Sequence, residues 1–269
     1  MRVGGVAHNG AVSATVDRVE TVDYPGAPVT VREAVERGVV LRAPRWGLGS
    51  AVLTLVGAIA LGALAAIPLI ALDAPLAVTA IVGTLFPWMA LAGWPMFVTR
   101  LKGNGPRIDL GLRLTWSDTG WGVLAGFVGL MVAGIVALIT QAIAGDFSSA
   151  AGDVALELRD DGPFWTLLLF AVMIMVGAPI VEEIAFRGLM FNALRKKGVG
   201  TAWTIVITAV AFSAFHFEPI RFFLLLPIGL MYGWVRWKTG SLGAAMVAHG
   251  VNNTPAALVL LLGLPEMTP

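Results

Sequence analysis

The sequence predicts an all-α fold, a polytopic membrane bundle of about seven transmembrane helices with a cytoplasmic N-terminus. Three observations lead there. The 269 residues are 57% hydrophobic and 13% charged, against roughly 45–50% and about 25% in soluble domains. Seven apolar stretches approach the ~20 residues that a bilayer crossing needs. Lys and Arg occupy alternate connections between those stretches, the pattern that the cytoplasmic bias for positive charge produces.

Composition also excludes several chemistries. A net charge of +1 supplies no overall field for a nucleic-acid partner. With no cysteine in the chain, disulfides, thiolate metal sites and cysteine nucleophiles are ruled out. A zinc site would have to use His and carboxylates. Residues 1–20 hold no apolar signal-peptide core, so the first span is expected to act as the insertion signal.

Residues 1–45 are polar and are expected to form a flexible cytoplasmic tail. Within it, VREAVERGVVLRAPRW (31–46) suits either a short interfacial helix or a partly ordered linker. The transmembrane domain is expected over 46–269. Its spans fall at about 48–72, 76–98, 120–143, 164–184, 201–217, 221–235 and 241–263. The fourth can run on through GLMFNALRKK as an amphipathic extension. The acidic third connection reads as a solvated outer loop.

The basic residues check the span count. Arg37, Arg42 and Arg45 precede the first span, and the first connection has none. Arg100, Lys102, Arg107 and Arg113 follow in the second, and only Arg159 in the third. The fourth holds Arg187, Arg195, Lys196 and Lys197, the fifth Arg221, and the sixth Arg236 and Lys238. An eighth crossing, or a missing one, would break this alternation.

Ionisable side chains inside a bilayer cost about 2.5–3.5 kcal/mol or more at a helix centre, so those present need a reason. The first three spans carry none beyond their edges. The last four carry Glu182, Glu183, Arg187, His216 and His249, together with Asn252 and Asn253. Glu183 and Arg187 are four apart and share a helix face. Glu182 points about 100° away and is left without that partner. Phe212 and His216, and likewise His249 and Asn253, are also four apart. If the fourth helix continues to the basic cluster, Glu182 lies roughly 21 Å from its cytoplasmic end. His216 then lies roughly 22 Å and Asn253 roughly 18 Å along their own helices, with His249 shallower at roughly 12 Å. Gly229 and Gly233 let neighbouring helices approach closely, bringing the two histidine-bearing helices together.

These three motifs, Glu182-Glu183-x-x-x-Arg187, Phe212-x-x-x-His216 and His249-x-x-x-Asn253, occur in order on successive spans. The chain thereby resembles the CPBP family of type II CAAX prenyl proteases and bacteriocin-processing or self-immunity proteins. The likeness covers about residues 163–260, the expected catalytic core. It implies an intramembrane endopeptidase in which Glu182 and His216 activate a water while His249 and Asn253 stabilise the oxyanion. Glu183 and Arg187 would support them. The alternatives are a non-catalytic immunity or scaffolding protein of the same fold, and a proton-coupled transporter. Apolar first spans disfavour the transporter, which would place pathway residues in both halves.

Two His and a Glu could also form a catalytic zinc site at Glu182, His216 and His249, although the helical H-E-x-x-H motif is absent. Metal-independent water activation is the favoured expectation. The expected surroundings are membrane lipids and a membrane-anchored peptide or protein substrate, in a bacterial plasma membrane. Sequence leaves the oligomeric state open.

Overall fold

The computed structural model describes residues 24–262, and among these the regular structure is entirely helical. A short α1 (Val29–Glu36) precedes the bundle. The bundle helices are α2 (Leu48–Ala71) and α3 (Leu76–Lys102). A one-turn α4 (Pro106–Leu110) leads into α5 (Trp116–Ala144). Next come α6 (Ala150–Asp161), α7 (Phe164–Lys196), α8 (Thr201–Phe215), α9 (Pro219–Thr239) and α10 (Leu242–Leu262). Five of these (α2, α3, α5, α7 and α10) are long and apolar enough to cross a membrane. The chain is an integral membrane protein. Of the other two expected spans, α8 has 15 residues. The sixth, α9, is a 21-residue helix that begins two residues before the expected span and extends four beyond it.

The fourth span does run through the GLMFNALRKK segment, so α7 is one continuous rod. It has two wide π-helical stretches, Met173–Gly177 and Ile184–Met190. The first has a covalent cause. Pro179 lacks an N–H and its ring collides with the carbonyl four residues back, that of Met175, so the helix widens there. The same holds in α3, where the π-helical turn Met89–Gly93 precedes Pro95. We find no comparable cause for the second stretch of α7.

Small residues fix the packing. On α5, a β-carbon at Gly122 would lie 2.6 Å from Val247, and one at Gly126 would lie 2.6 Å from Val251. The stripe Gly122, Gly126 and Gly129 thus lets α10 lie against α5. The anticipated pair on α9 works similarly, but against α8. A β-carbon at Gly229 would meet Ala209 at 3.2 Å, and one at Gly233 would meet Ile205 at 3.0 Å.

Two expectations are corrected at the ends of the bundle. The third connection is not simply a solvated loop. Ser149 caps α6 by accepting from the Gly152 N–H at 2.9 Å, and α6 buries Ala155 and Leu158 against Leu167, Phe170 and Leu260. Its acidic face hides that apolar spacing. The N-terminal segment, expected to be flexible through residue 45, is packed onto the bundle from Tyr24 onward. Residues 1–23 of that segment lie outside the described residues. Helix α1 covers only the start of the candidate interfacial stretch. Tyr24 and Trp46 are 2% and 1% exposed, because both donate to the buried carboxylate of Asp109. The Asn104 N–H reaches the same carboxylate at 3.1 Å. Lys196 donates to the Pro44 and Trp46 carbonyls, and the Val29 N–H reaches Gly240 O at 2.9 Å.

Candidate active site

A cavity of about 410 Å³ lies inside the bundle. Glu182, His216, His249, Asn252, Asn253 and Tyr232 all stand on its wall. Helices α7, α8 and α10 therefore bring the four expected catalytic side chains into one space, and α9 adds Tyr232.

The adjacent glutamates of α7 differ sharply. Glu183 is fully buried. Its Oε1 receives Arg187 Nη1 at 2.9 Å and lies 3.1 Å from His249 Nδ1. Arg187 is also fully buried. Its second nitrogen, Nη2, donates to Gly229 O at 2.8 Å, and its plane lies 4.6 Å from the Phe212 ring centroid. The i,i+4 pair expected from the sequence is thus present, with a carbonyl and an aromatic face added. Glu182 turns toward the cavity with 18% of its side chain exposed. Its Oε2 has no hydrogen-bond partner, and His249 Nε2 stands 3.9 Å from it.

Hydrogen bonds orient both imidazoles. His216 closes α8, where helix carbonyls lack amide partners. Its Nδ1 is 2.9 Å from Phe212 O. A carbonyl can only accept, so Nδ1 carries the proton and Nε2 of the neutral ring is the basic nitrogen. The chain turns away at Phe217, whose φ of +56° is costly for a residue with a side chain. On α10, His249 gives Nδ1 to Glu183 and turns Nε2 to Glu182. Its ring stacks on Tyr232 with centroids 4.7 Å apart and planes 19° from parallel. Phe212 lies edge-on to both imidazoles, at 4.9 Å from His216 and 5.5 Å from His249.

Asn253 donates from Nδ2 to Ile174 O at 2.9 Å. That carbonyl lies in the π-helical turn ahead of Pro179, so the widened helix anchors the amide. An Asn amide has two N–H bonds, and the second remains for another acceptor. Asn252 donates to Gly126 O at 2.8 Å, joining α10 to α5.

The donor types suit zinc, but among the described residues no three His, Asp or Glu side chains converge closely enough to hold an ion.

Sequence reasoning did not single out Tyr232, Arg221 or Trp88. Arg221 lines the cavity and pairs with Glu218, which also accepts from the Ala150 N–H at 2.7 Å. Trp88 of α3 lies over Gly177, where a β-carbon would collide with its ring at 2.3 Å. Tyr232 lies between Gly229 and Gly233, and nothing in that spacing ties it to a histidine on another helix.

Residues 164–255 match the family model of type II CAAX prenyl endopeptidase Rce1-like proteins. A relative in Bacillus subtilis (strain 168), named "Putative membrane peptidase YdiL", is 24% identical over 162 residues. The aligned stretch is 59% of this chain and spans 61% of that relative's length. No solved structure matches the chain.

Proposed function

With residues 164–255 forming an Rce1-like domain of the CPBP class, we propose that the protein is an intramembrane endopeptidase that cuts membrane-associated proteins or peptides with a water activated by Glu182. The observation that carries this reading is the contrast within the Glu-Glu pair. Glu183 Oε1 is held by Arg187 and His249, while Glu182 stands on the cavity wall without a hydrogen-bond partner at Oε2.

Peptide hydrolysis needs a base for water and donors for the developing oxyanion. Glu182 supplies the base, and the basic Nε2 of His216, fixed by the bond to Phe212 O, assists on the same cavity wall. The free N–H of Asn253 is one oxyanion donor. His249 is the other when its Nε2 carries a proton; Glu183 Oε1 lies 3.1 Å from its Nδ1 and Glu182 Oε2 3.9 Å from its Nε2. The proton taken from water then passes to the leaving amine. On this reading each step is carried by these side chains.

The test is cleavage of membrane-anchored peptides by purified protein in detergent, with Glu182→Ala and chelator-treated wild type in parallel. Loss with the substitution and none with chelator supports the reading. Equal cleavage by wild type and Glu182→Ala overturns it. Loss with both, restored by zinc, replaces it with a metallopeptidase.

A further inference from the structure

The two ends of the bundle differ in charge and in closure, and the cavity reaches only one of them. One end gathers the starts of α2, α5, α8 and α10 and the ends of α3, α7 and α9. Backbone and side-chain bonds tie it together, among them Arg45 N–H to Lys102 O and Leu242 N–H to Gly111 O at 2.9 Å. Arg42, Arg45, Lys102, Arg113, Lys197 and Lys238 stand there. The other end gathers the α2–α3 turn, α6 and the α8–α9 turn. Its only basic residues in the connections among the described residues are Arg159 and Arg221, beside Asp146, Asp153, Glu157, Asp160 and Asp161.

The basic end is plugged. Leu110, Leu189, Ala193 and Leu242 are packed there with almost no exposure, and the Asp109 cluster seals the rim. Neither these residues nor the loops beside them line the cavity. Its wall runs from Glu182 and His249 past Ile174 and Ala256 to Ser149, Gly152 and Arg221, all toward the acidic end. The side walls are also unequal. Helix α3 packs on α2 and α7, and α5 packs on α9 and α10. The cavity lies between these two groups, with Trp88 on one side and Leu130 on the other. At the acidic end α6 bridges them, tethered by the Ala150–Glu218 hydrogen bond.

We propose that the cavity holding Glu182 opens to the extracytoplasmic side of the membrane, so that the substrates are outward-facing segments of proteins anchored in the bilayer. Positive charge marks the cytoplasmic face, and that is the plugged end. The peptide reaches Glu182 past α6, while its lipid or helical anchor stays in the bilayer beside the gap between α3 and α5. The substrate part of this inference rests on the peptidase reading above. The orientation of the cavity does not.

The absence of cysteine makes a direct test simple. Single substitutions Ala256→Cys on the cavity wall, Ala151→Cys at its mouth and Val40→Cys on the basic end are each treated with a membrane-impermeant maleimide. Spheroplasts and inside-out vesicles are compared. Ala151→Cys and Ala256→Cys are expected to label in spheroplasts and Val40→Cys only in vesicles. Labelling of Ala256→Cys from vesicles alone, or from neither side, overturns the proposal. If the outward pattern holds but Glu182→Ala cleaves like wild type, the peptidase reading falls and only the orientation stands.

Discussion

Glu182 and Glu183 are neighbours in sequence, yet one carboxylate binds a cation and an imidazole through its Oε1 while the other stands on the cavity wall with no hydrogen-bond partner at Oε2. In the proposed mechanism, their helix offset of about 100° separates a structural role from a chemical one. Glu182→Ala is expected to abolish cleavage and leave the melting temperature nearly unchanged. Glu183→Ala strands a fully buried Arg187 and should cost about 3–5 kcal/mol. Thermal unfolding in detergent, read beside cleavage, distinguishes them. Equal destabilisation by both would refute the division.

The stacking of Tyr232 on His249 gives a second expectation. Tyr232→Phe keeps the ring and should retain most activity. Tyr232→Ala frees the imidazole to tilt and should lower kcat about ten-fold, near 1.4 kcal/mol of barrier. A Tyr232→Phe variant as impaired as Tyr232→Ala would shift importance to the hydroxyl.

Gly126, like Gly122, lies at a close contact between α5 and α10. Even an alanine there places a β-carbon 2.6 Å from Val251 and 2.9 Å from Ala248 O. Gly126→Ala should destabilise by about 1–3 kcal/mol and reduce cleavage by moving His249. An unchanged melting temperature would show that α10 can shift at no cost.

Asp109 links stability to pH. Burial raises its carboxyl above the usual range, while bonds from Tyr24, Trp46 and Asn104 oppose the rise. A carboxyl whose folded pKa is raised binds its proton more tightly in the folded state. The stability tied to it is full below the unfolded value of about 3.9 and is lost as pH rises through the folded value. The melting temperature of wild type relative to Asp109→Asn should therefore rise as pH falls from 7 toward 4. A constant difference would mean that the carboxyl is not shifted. Tyr24→Phe removes one donor and should cost about 1–3 kcal/mol at neutral pH.

Much of this was legible in residue order. Apolar length and basic residues located the helices, and four-residue spacings paired Glu183 with Arg187. The segregation of polar groups into the last four helices marked the site. Other features were not legible because they depend on contacts between distant helices or on hydrogen-bond register. The stack of Tyr232 on His249 has no sequence pattern. The second π-helical stretch of α7 follows no proline. The glycine stripe of α5 did carry a signal, its four- and three-residue spacing, and it matters more to the placement of α10 than the pair on α9. The docking of Tyr24 and Trp46 was hidden because their shared partner, Asp109, reads as an ordinary loop carboxylate.

The strap from Tyr24 to Trp46 also sets an order of assembly. It is synthesised before the helices it docks on, and its partners come much later in the chain. Lys196 lies 150 residues beyond Trp46, and Gly240, which receives the Val29 N–H, follows α9. The strap cannot seat until the ribosome has delivered nearly the whole bundle, so its docking certifies that the helices bearing His216 and Tyr232 have been made. A chain truncated before α9 would leave the strap loose and exposed to proteases, a ready mark for disposal of incomplete copies.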